Sequence, residues 1–378
     1  MKRILIITPF FRPNVGGAET YADGLCEFLR NNDFYIYVIT YQPITTEARG
    51  LPFEKKENLE IRRFQWIGFN LFHRFRNFPV LNFFYLTPCL FMHSFLFLLR
   101  NPGRIDTIDA QGLNAAFIAR VLKPIFSKRA VMSTMALYNF KKGSLFSKIC
   151  RWVLSGLDTV LAESQESKNE IAAIGVPEDK IKVFSHWVDQ EVFRPRDKKE
   201  ARRQSGLPDK FIVLFVGRAI PIKGATLLVE VATMTKADLA CAFISAAGPE
   251  VEMLRGAAAE NPEKVKYIGE VPYKELYKYY NAADVLAVPS QYEEGVARVV
   301  LEAVSSGTPV VGSNRGALPS VLPPSVAILV KPETAELKKA IEFLYNNPGE
   351  RERLARNCRA YALEKFSSKN ARVIADSY

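Results

Sequence analysis

The stretch from Asp284 to Val311 constrains the fold most, because it contains one complete alternation of strand, loop, helix and strand. An apolar run, Val285 to Val288, ends at a Pro-Ser pair and a polar loop. Apolar residues at helical spacing follow and stop at Gly307, and a second short strand covers 309–311. Strands joined through a helix in this way run parallel. Ligands bind such sheets at the carboxyl ends of the strands, where loop meets helix.

Two glutamates lie eight positions apart in this stretch, Glu294 in the predicted loop and Glu302 in the predicted helix. That separation is about 12 Å along a helix, at about 1.5 Å per residue. Two carboxylates so spaced could hold the ends of an elongated polyhydroxyl ligand such as a sugar nucleotide. The free N–H groups of residues 297–299 would then face the diphosphate in its middle. Taken alone, the pair fits two solvated glutamates on an amphipathic helix equally well.

A second apolar run, Phe211 to Val216, is followed by Arg218, by Lys223 and by a helical pattern over 225–234. Arg offers a fork of donors and Lys a point charge, and both suit phosphate oxygens. Together the segments FVGRAIPIKGATLL and EEGVARVVLEAVSSGTPVV resemble the family 4 retaining glycosyltransferases with the GT-B fold. The pattern in that family is F-V-G-R-L, then K-G, then E-G-F-G with a second Glu eight residues on, then G-x-P-V.

The resemblance implies both a fold class and a reaction. The fold is α/β, with two Rossmann-like domains facing across a cleft and a C-terminal helix that crosses back to the first domain. The reaction transfers a sugar from a nucleoside-diphosphate sugar with retention of anomeric configuration. We therefore expect an N-terminal acceptor-side domain over 1–193, a linker over 194–210, a C-terminal nucleotide-sugar-binding domain over 211–365, and the C-terminal helix over 366–378.

Catalytic roles follow from the same resemblance. Arg218 and Lys223 are expected to neutralise the departing nucleoside diphosphate, helped by backbone N–H groups near Arg298 and Val299. Glu294 is expected to bind the donor sugar and to stabilise its oxocarbenium-like transition state. Because two cations and a helix start can serve the diphosphate, we expect neither a metal ion nor another cofactor.

Further substrate-binding residues are expected in three places. Glu302 would hold the ribose hydroxyls of the donor. Gly16 and Gly17 follow the first predicted strand, and glycines there allow a substrate to approach the backbone closely. Val271 belongs to a segment whose backbone contacts the base in the resembling family.

The chain departs from the family pattern where histidines are common. Asp109, Gln111 and Met135 stand at those positions. The usual cleft histidine, which helps to hold the donor sugar, is therefore missing, and this leaves open a non-catalytic binding protein. A sugar-nucleotide epimerase and a sugar phosphorylase that uses free phosphate are two further alternatives.

The net charge of +11 is concentrated in residues 61–151, which hold 14 Lys or Arg and only two Asp. Phe and Tyr are dense within this segment over 66–100. Three interpretations stay open there: a membrane span interrupted by Pro and polar residues, a helix over 88–99 buried against the first sheet, and a face that meets acidic lipid. Stacking on nucleic-acid bases needs an exposed aromatic platform, and nucleic acid is not an expected partner.

The five cysteines are scattered and odd in number, so they indicate neither a disulfide framework nor a zinc site. That usage fits a reducing cytosol. The N-terminal run MKRILIITPF is too short for a signal peptide and is predicted to be the first strand. We thus expect a cytoplasmic protein, peripheral on the membrane face, whose acceptor is a glycan or a lipid-linked sugar in cell-surface polysaccharide or glycolipid assembly.

Overall fold

The structure is a computed structural model that describes residues 1–14, 16–46, 48–68, 71–75, 78–245, 248–293 and 295–378. The chain divides into two compact units. Unit 1 comprises Met1–Ser185 together with Lys369–Tyr378, and unit 2 comprises His186–Ser368. Each unit contains a largely parallel sheet covered by helices, which is the α/β architecture that the alternating sequence pattern predicts.

The described strands of unit 1 are β1 (Lys2–Ile7), β2 (Phe34–Tyr41), β3 (Phe53–Lys56), β4 (Leu59–Phe64), β5 (Thr107–Gln111), β6 (Arg129–Ser133), β7 (Thr159–Ala162) and β8 (Ile181–Val183). They form one sheet in the order β3-β4-β2-β1-β5-β6-β7-β8. β3 pairs antiparallel with β4, while β1 pairs parallel with both β2 and β5. β3 is a charged and largely exposed edge strand, and it has no apolar run that would predict it from the sequence.

The described helices of unit 1 are α1 (Gly17–Arg30), α2 (Leu71–Arg74), α3 (Pro79–Arg100), α4 (Leu113–Phe126), α5 (Leu145–Ser155), α6 (Gln165–Ala173) and, from the end of the chain, α15 (Ala371–Ala375). α4 buries Ala115, Ala116 and Ala119, and these small side chains let it lie close to the sheet. Its larger buried residues, Ile118 and Leu122, belong to the same core cluster as β1 and β5.

Helix α3 begins nine residues before Pro88, where the sequence predicted a helix over 88–99. A proline inside a helix removes one backbone hydrogen bond and distorts the turn before it. Here the Tyr41 hydroxyl donates to the Leu86 carbonyl at 2.8 Å and accepts the Leu90 N–H at 2.9 Å. The side chain of Tyr41 thus satisfies two backbone groups of that turn, so the helix continues through the proline.

One face of α3 packs on the protein, as the sequence predicted, and the other is exposed. Leu86, Leu90 and Leu98 are buried, whereas Phe84 and Met92 are exposed. Residues 80–100 are long and apolar enough to cross a membrane by length and composition, and 39% of that window is buried within the protein. A core helix can meet the same criterion, so α3 by itself is weak evidence for a membrane span.

The described strands of unit 2 are β9 (Phe211–Val216), β10 (Leu239–Ile244), β11 (Val265–Gly269), β12 (Val285–Val288), β13 (Val310–Ser313) and β14 (Ala327–Val330). They form a sheet in the order β11-β10-β9-β12-β13-β14, and the recorded pairings are parallel. The chain moves outward from β9 in one direction and then returns to place β12 on its other side. The strand order therefore reverses between β9 and β12.

The described helices of unit 2 are α7 (Lys198–Ser205), α8 (Ala225–Met234), α9 (Val251–Glu260), α10 (Leu276–Ala282), α11 (Arg298–Ser305), α12 (Leu318–Val321), α13 (Thr334–Asn346) and α14 (Pro348–Lys365). Apolar residues of α8 and α13 are buried in one core cluster with β9, and those of α11 and α14 in a second cluster with β12. The sheet is therefore covered on both faces.

Residues 194–210 were expected to be a linker, but in the structure they contain α7. Lys198 and Arg202 each donate to the buried carboxylate of Asp284 at 2.8 Å. The same carboxylate accepts the Ile212 N–H at 2.8 Å. The charged composition that suggested a solvated linker thus supplies cations to one buried anion, because a buried charge needs partners. All five cysteines are free and buried.

Candidate functional site

The point between β9 and β12, where the strand order reverses, is where parallel sheets of this type open a crevice for ligands. Arg218 and Lys223 lie in the loop after β9. Arg298, Val299 and Glu302 belong to α11, which follows β12. Five of the predicted site residues therefore lie on the elements that flank this point.

The loops after β9 and β12 are in direct contact. The Gln291 N–H donates to the Ile222 carbonyl at 2.8 Å, and the Lys223 ammonium lies 5.4 Å from the centre of the Tyr292 ring. Gly224 has φ +75°, and a Cβ there would collide with the Pro289 carbonyl. Glycine is needed both for this backbone conformation and for the close approach of the two loops. Their contact holds Lys223 beside the β12 loop.

Helix α11 begins at Arg298, so Glu302 is its fifth residue. The N-cap is Ala297, whose side chain cannot accept a hydrogen bond from the first-turn amides. Those N–H groups, at Arg298 and Val299, carry the positive end of the helix dipole. Glu294, the predicted ligand of the donor sugar, lies outside the described residues.

Glu302 is buried, with 3% of its surface exposed, and it accepts a hydrogen bond from the Tyr280 hydroxyl at 2.7 Å. The Arg298 Nε lies 4.0 Å from its Oε1, and Arg298 Nη2 lies 3.5 Å from the Tyr273 hydroxyl. Burial raises the pKa of Glu302, although Arg298 and the tyrosine hydrogen bonds act in the opposite direction. The carboxylate is thus oriented by three neighbours rather than left in solvent.

Tyr273 and Tyr280 are the neighbours that sequence reasoning missed. They occur in the segment VPYKELYKYYNAAD, where four tyrosines fall within eight residues and nothing marks two of them as partners of Glu302. Burial raises the pKa of the Tyr280 hydroxyl far above its ordinary value, and the adjacent carboxylate adds to that shift. Tyr280 therefore stays protonated and acts as a donor. Arg298 retains only 10% side-chain exposure.

Val271, the predicted contact of the base, follows β11 and is half-buried. β11 is separated from β9 by β10 alone. The Tyr267 hydroxyl donates to the Ser245 carbonyl at 2.9 Å, and the Ser245 N–H donates to the Gly269 carbonyl at 3.0 Å. These bonds connect the end of β11 to the end of β10. Val271 is thus placed on the same edge of the unit 2 sheet as Arg218.

Gly16 and Gly17 belong to unit 1, at the start of α1 and after β1. Gly16 is the N-cap, and a Cβ there would collide with the carboxylate of Glu19. Gly17 has open space around it. The absence of a side chain at Gly16 therefore makes room for a glutamate in the first turn of α1.

Asp109 and Gln111, which occupy positions where the resembling family often has histidines, lie at the buried end of β5. Asp109 Oδ2 accepts hydrogen bonds from Gln111 Nε2 at 2.5 Å and from the Tyr378 hydroxyl at 3.0 Å. Burial raises the pKa of Asp109 to about 7. These two residues form an internal hydrogen-bond cluster of unit 1. Met135, the third such position, is half-buried after β6.

The chain matches two family models, one for each half. Residues 15–192 match Glycosyltransferase Family 4, and residues 197–361 match Glycosyl transferases group 1. An uncharacterized glycosyltransferase of Methanocaldococcus jannaschii is 27% identical over 97% of this chain and 95% of its own. A D-inositol 3-phosphate glycosyltransferase of Acidothermus cellulolyticus is 30% identical over 70% of this chain. The chain spans 65% of that relative, and about half of several others with the same description.

Solved structures of the same fold cover the whole chain. The sucrose-phosphate synthase of Thermosynechococcus elongatus superposes with a TM-score of 0.82 at 21% identity, covering 100% of this chain and 98% of that one. The Anabaena protein HepE, solved in complex with UDP-glucose, superposes with a TM-score of 0.76 at 20% identity, covering 100% and 99%. The chain has the GT-B fold, and it belongs to the group 1, family 4 glycosyltransferases.

Proposed function

We propose that the protein is a retaining glycosyltransferase that moves a sugar from a UDP- or GDP-sugar to a glycan or a lipid-linked acceptor, in cell-surface polysaccharide or glycolipid assembly. The observation that carries the proposal is the grouping of Arg218, Lys223, the start of α11 and Glu302 at the strand-order reversal of unit 2. A nucleotide-sugar donor is supported by HepE, which shares the fold and was solved with UDP-glucose.

The difficult step is departure of the nucleoside diphosphate from the anomeric carbon. Arg218 and Lys223 neutralise the charge that develops on the leaving group, and the N–H groups of Arg298 and Val299 add to this stabilisation. These groups make a metal ion unnecessary. The acceptor attacks the anomeric carbon on the face from which the nucleoside diphosphate departs, so the configuration is retained. Glu294 stabilises the cationic sugar between that departure and the attack.

Glu302 holds the ribose hydroxyls of the donor in this proposal. Tyr280 donates to one oxygen of its carboxylate, so the other oxygen and the orientation of the group are fixed before the donor binds. A buried, oriented carboxylate oxygen strongly favours a donor sugar nucleotide that carries the hydroxyl over one that lacks it. The reason is that a buried oxygen left without its hydrogen bond costs free energy. A 2′-deoxy donor is therefore expected to be a poor substrate.

The first experiment incubates the protein with a panel of sugar nucleotides and acceptors and measures release of UDP or GDP. Arg218→Ala is expected to lower kcat by roughly 100-fold or more, since it removes charge stabilisation of the transition state. Arg203→Ala, which changes an exposed arginine on α7, is the matched control and should be near wild type. Wild-type turnover by Arg218→Ala would exclude the assigned role.

Further arms of that experiment test the ribose contact and the need for a metal, and its products separate the alternatives. Glu302→Gln and Tyr280→Phe should raise the KM for the donor more than they lower kcat, and turnover should survive a chelator. Interconversion of sugar nucleotides without an acceptor would indicate an epimerase. Phosphate-dependent cleavage of a glycoside would indicate a phosphorylase, and binding without turnover on any donor would indicate a non-catalytic protein.

A further inference from the structure

Helix α5 buries Val153 and Leu154 against the protein, yet it also presents several large apolar side chains to solvent. Leu145 is 76% exposed, Trp152 51% and Ile149 46%, whereas Ser147 and Cys150 are buried. A surface helix in contact only with water normally carries charged and polar residues on its exposed face. The outward face of α5 therefore has the composition of a surface that meets something apolar.

This surface continues onto α3. The Phe83 and Phe117 rings lie 5.1 Å apart, and the Phe117 and Trp152 rings 6.3 Å apart, which connects the two helices through α4. Phe84, beside Phe83, is 65% exposed. We define the apolar face of unit 1 as six of the exposed apolar side chains on α3 and α5, namely Leu81, Phe84, Leu145, Phe146, Ile149 and Trp152. Contiguous exposed apolar surface of this kind marks an interaction site.

Cations surround the apolar face. Lys148 and Arg151 are exposed on α5 itself, and Lys141 and Lys142 are exposed just before it. Residues 110–157 contain eight Lys or Arg and no Asp or Glu. The positive charge at this face is therefore not balanced by carboxylates of the same segment.

Two of the carboxylates that follow this segment have partners within unit 1. Asp158 accepts from Lys123 at 2.7 Å, and Glu170 accepts the backbone N–H groups of Tyr138 and Asn139, both at 2.8 Å. These contacts direct both carboxylates to other groups of unit 1. The cations of α5 are thus positioned to meet an anionic partner from outside the protein.

We propose that unit 1 docks on the surface of a membrane containing acidic lipid, with α5 lying in the plane of the interface. The apolar side chains of α5 enter the boundary between headgroups and acyl chains, and the cations contact headgroup phosphates. Trp152 is the residue type enriched at that depth. α5 has 11 residues, whereas a membrane span needs about 20, so it lies on the membrane rather than across it.

Charge complementarity favours lipid over a second copy of the chain. Two copies meeting through this face would bring Lys148 and Arg151 of each close to those of the other, and like charges at a contact oppose association. The apolar face combined with unbalanced cations matches a surface that offers both hydrocarbon and phosphate. The proposal does not depend on which sugar is transferred, because none of these residues belongs to the site in unit 2.

The test is flotation of the full chain with vesicles of phosphatidylcholine alone and of phosphatidylcholine rich in phosphatidylglycerol. We expect binding to the acidic vesicles that weakens with added salt. Phe146→Ser/Ile149→Ser and Lys148→Glu/Arg151→Glu should each weaken it roughly tenfold or more. Trp152 fluorescence should shift to shorter wavelength on binding, and brominated lipid should quench it.

Matched controls place the same changes on exposed residues of unit 2. Met234→Ser/Leu363→Ser and Lys199→Glu/Lys236→Glu should bind as wild type does. Thermal melting checks that each variant is folded, and release of UDP or GDP checks the proposed reaction separately. Equal binding to neutral vesicles, or unchanged binding by both α5 variants, would overturn the proposal. If the wild type forms a dimer without lipid and Phe146→Ser/Ile149→Ser is a monomer, the apolar face binds a second copy of the chain instead.

Discussion

Asp109 shows how one buried side chain can make the stability of unit 1 depend on pH. It is fully buried, and its Oδ1 has no hydrogen-bond partner among the described residues. Burial raises its pKa from 3.8 to about 7, so the folded state retains a proton that the unfolded state releases. This contribution to stability is complete below about pH 4 and is lost as the pH rises through about 7.

Asp109→Asn should remove this pH dependence. A shift from 3.8 to about 7 corresponds to at most about 4.5 kcal/mol, at about 1.4 kcal/mol per unit. We expect the free energy of unfolding of the wild type to fall between pH 5 and pH 8, and the variant to fall much less, as measured by urea denaturation at each pH. Asp106→Asn, a change of an exposed carboxylate nearby, should keep the wild-type slope. Parallel slopes for all three proteins would contradict the assignment.

Glu302 shows the limit of residue-level prediction. The spacing from Glu294 to Glu302 and the resemblance assign it to the ribose, and its position on α11 after β12 agrees with the predicted strand, loop and helix. Its burial and its bond to Tyr280 could not be predicted, because Tyr280 lies 22 residues earlier on a different helix. Which side chain covers a carboxylate depends on how helices pack, and no local pattern records it.

At the scale of single elements, α3 depends on a contact with β2. Tyr41→Phe removes the hydroxyl that joins Leu86 and Leu90, and both backbone groups then lack that partner in a buried turn. We expect a loss of about 1–3 kcal/mol in the free energy of unfolding. Amide exchange measured by mass spectrometry should be faster than in the wild type in α3 and unchanged in β9, which would localise the effect.

Tyr35→Phe is the control for that prediction. Its hydroxyl donates to Glu60 of β4 at 2.9 Å in a partly buried position. The cost there should be smaller, because water can reach the groups that lose their partner. Equal losses from both variants would show that the hydroxyl of Tyr41 has no special role in α3.

At the scale of the whole molecule, the end of the chain belongs to the unit formed by its first half. Ile374 of α15 is fully buried, and the Arg129 Nε donates to the Ser377 carbonyl at 3.0 Å. Phe34 lies 6.1 Å from Tyr378, ring centre to ring centre. Unit 1 therefore completes its core only after the residues of unit 2 have been synthesised.

Ile374→Ala should destabilise unit 1 selectively. Removing a fully buried isoleucine side chain to alanine costs about 2–5 kcal/mol. Amide exchange should accelerate in β1 and β5 while β9 and β12 remain near wild type. Val373→Ala, at a neighbouring position that is 38% exposed, should have a much smaller effect. Uniform acceleration in both units would show that they unfold as one.

The sequence by itself determined the order and type of the main elements and the family. It located β9, β12 and α8 with their observed bounds, because apolar spacing, glycine stops and proline breaks act over a few residues. The tertiary structure alone decided what surrounds the carboxylates and which helix faces stay exposed. Asp109 meets Tyr378 across 269 residues of chain, and α5 leaves Leu145, Ile149 and Trp152 exposed. Such burial depends on packing between distant segments, and a local pattern carries no information about it.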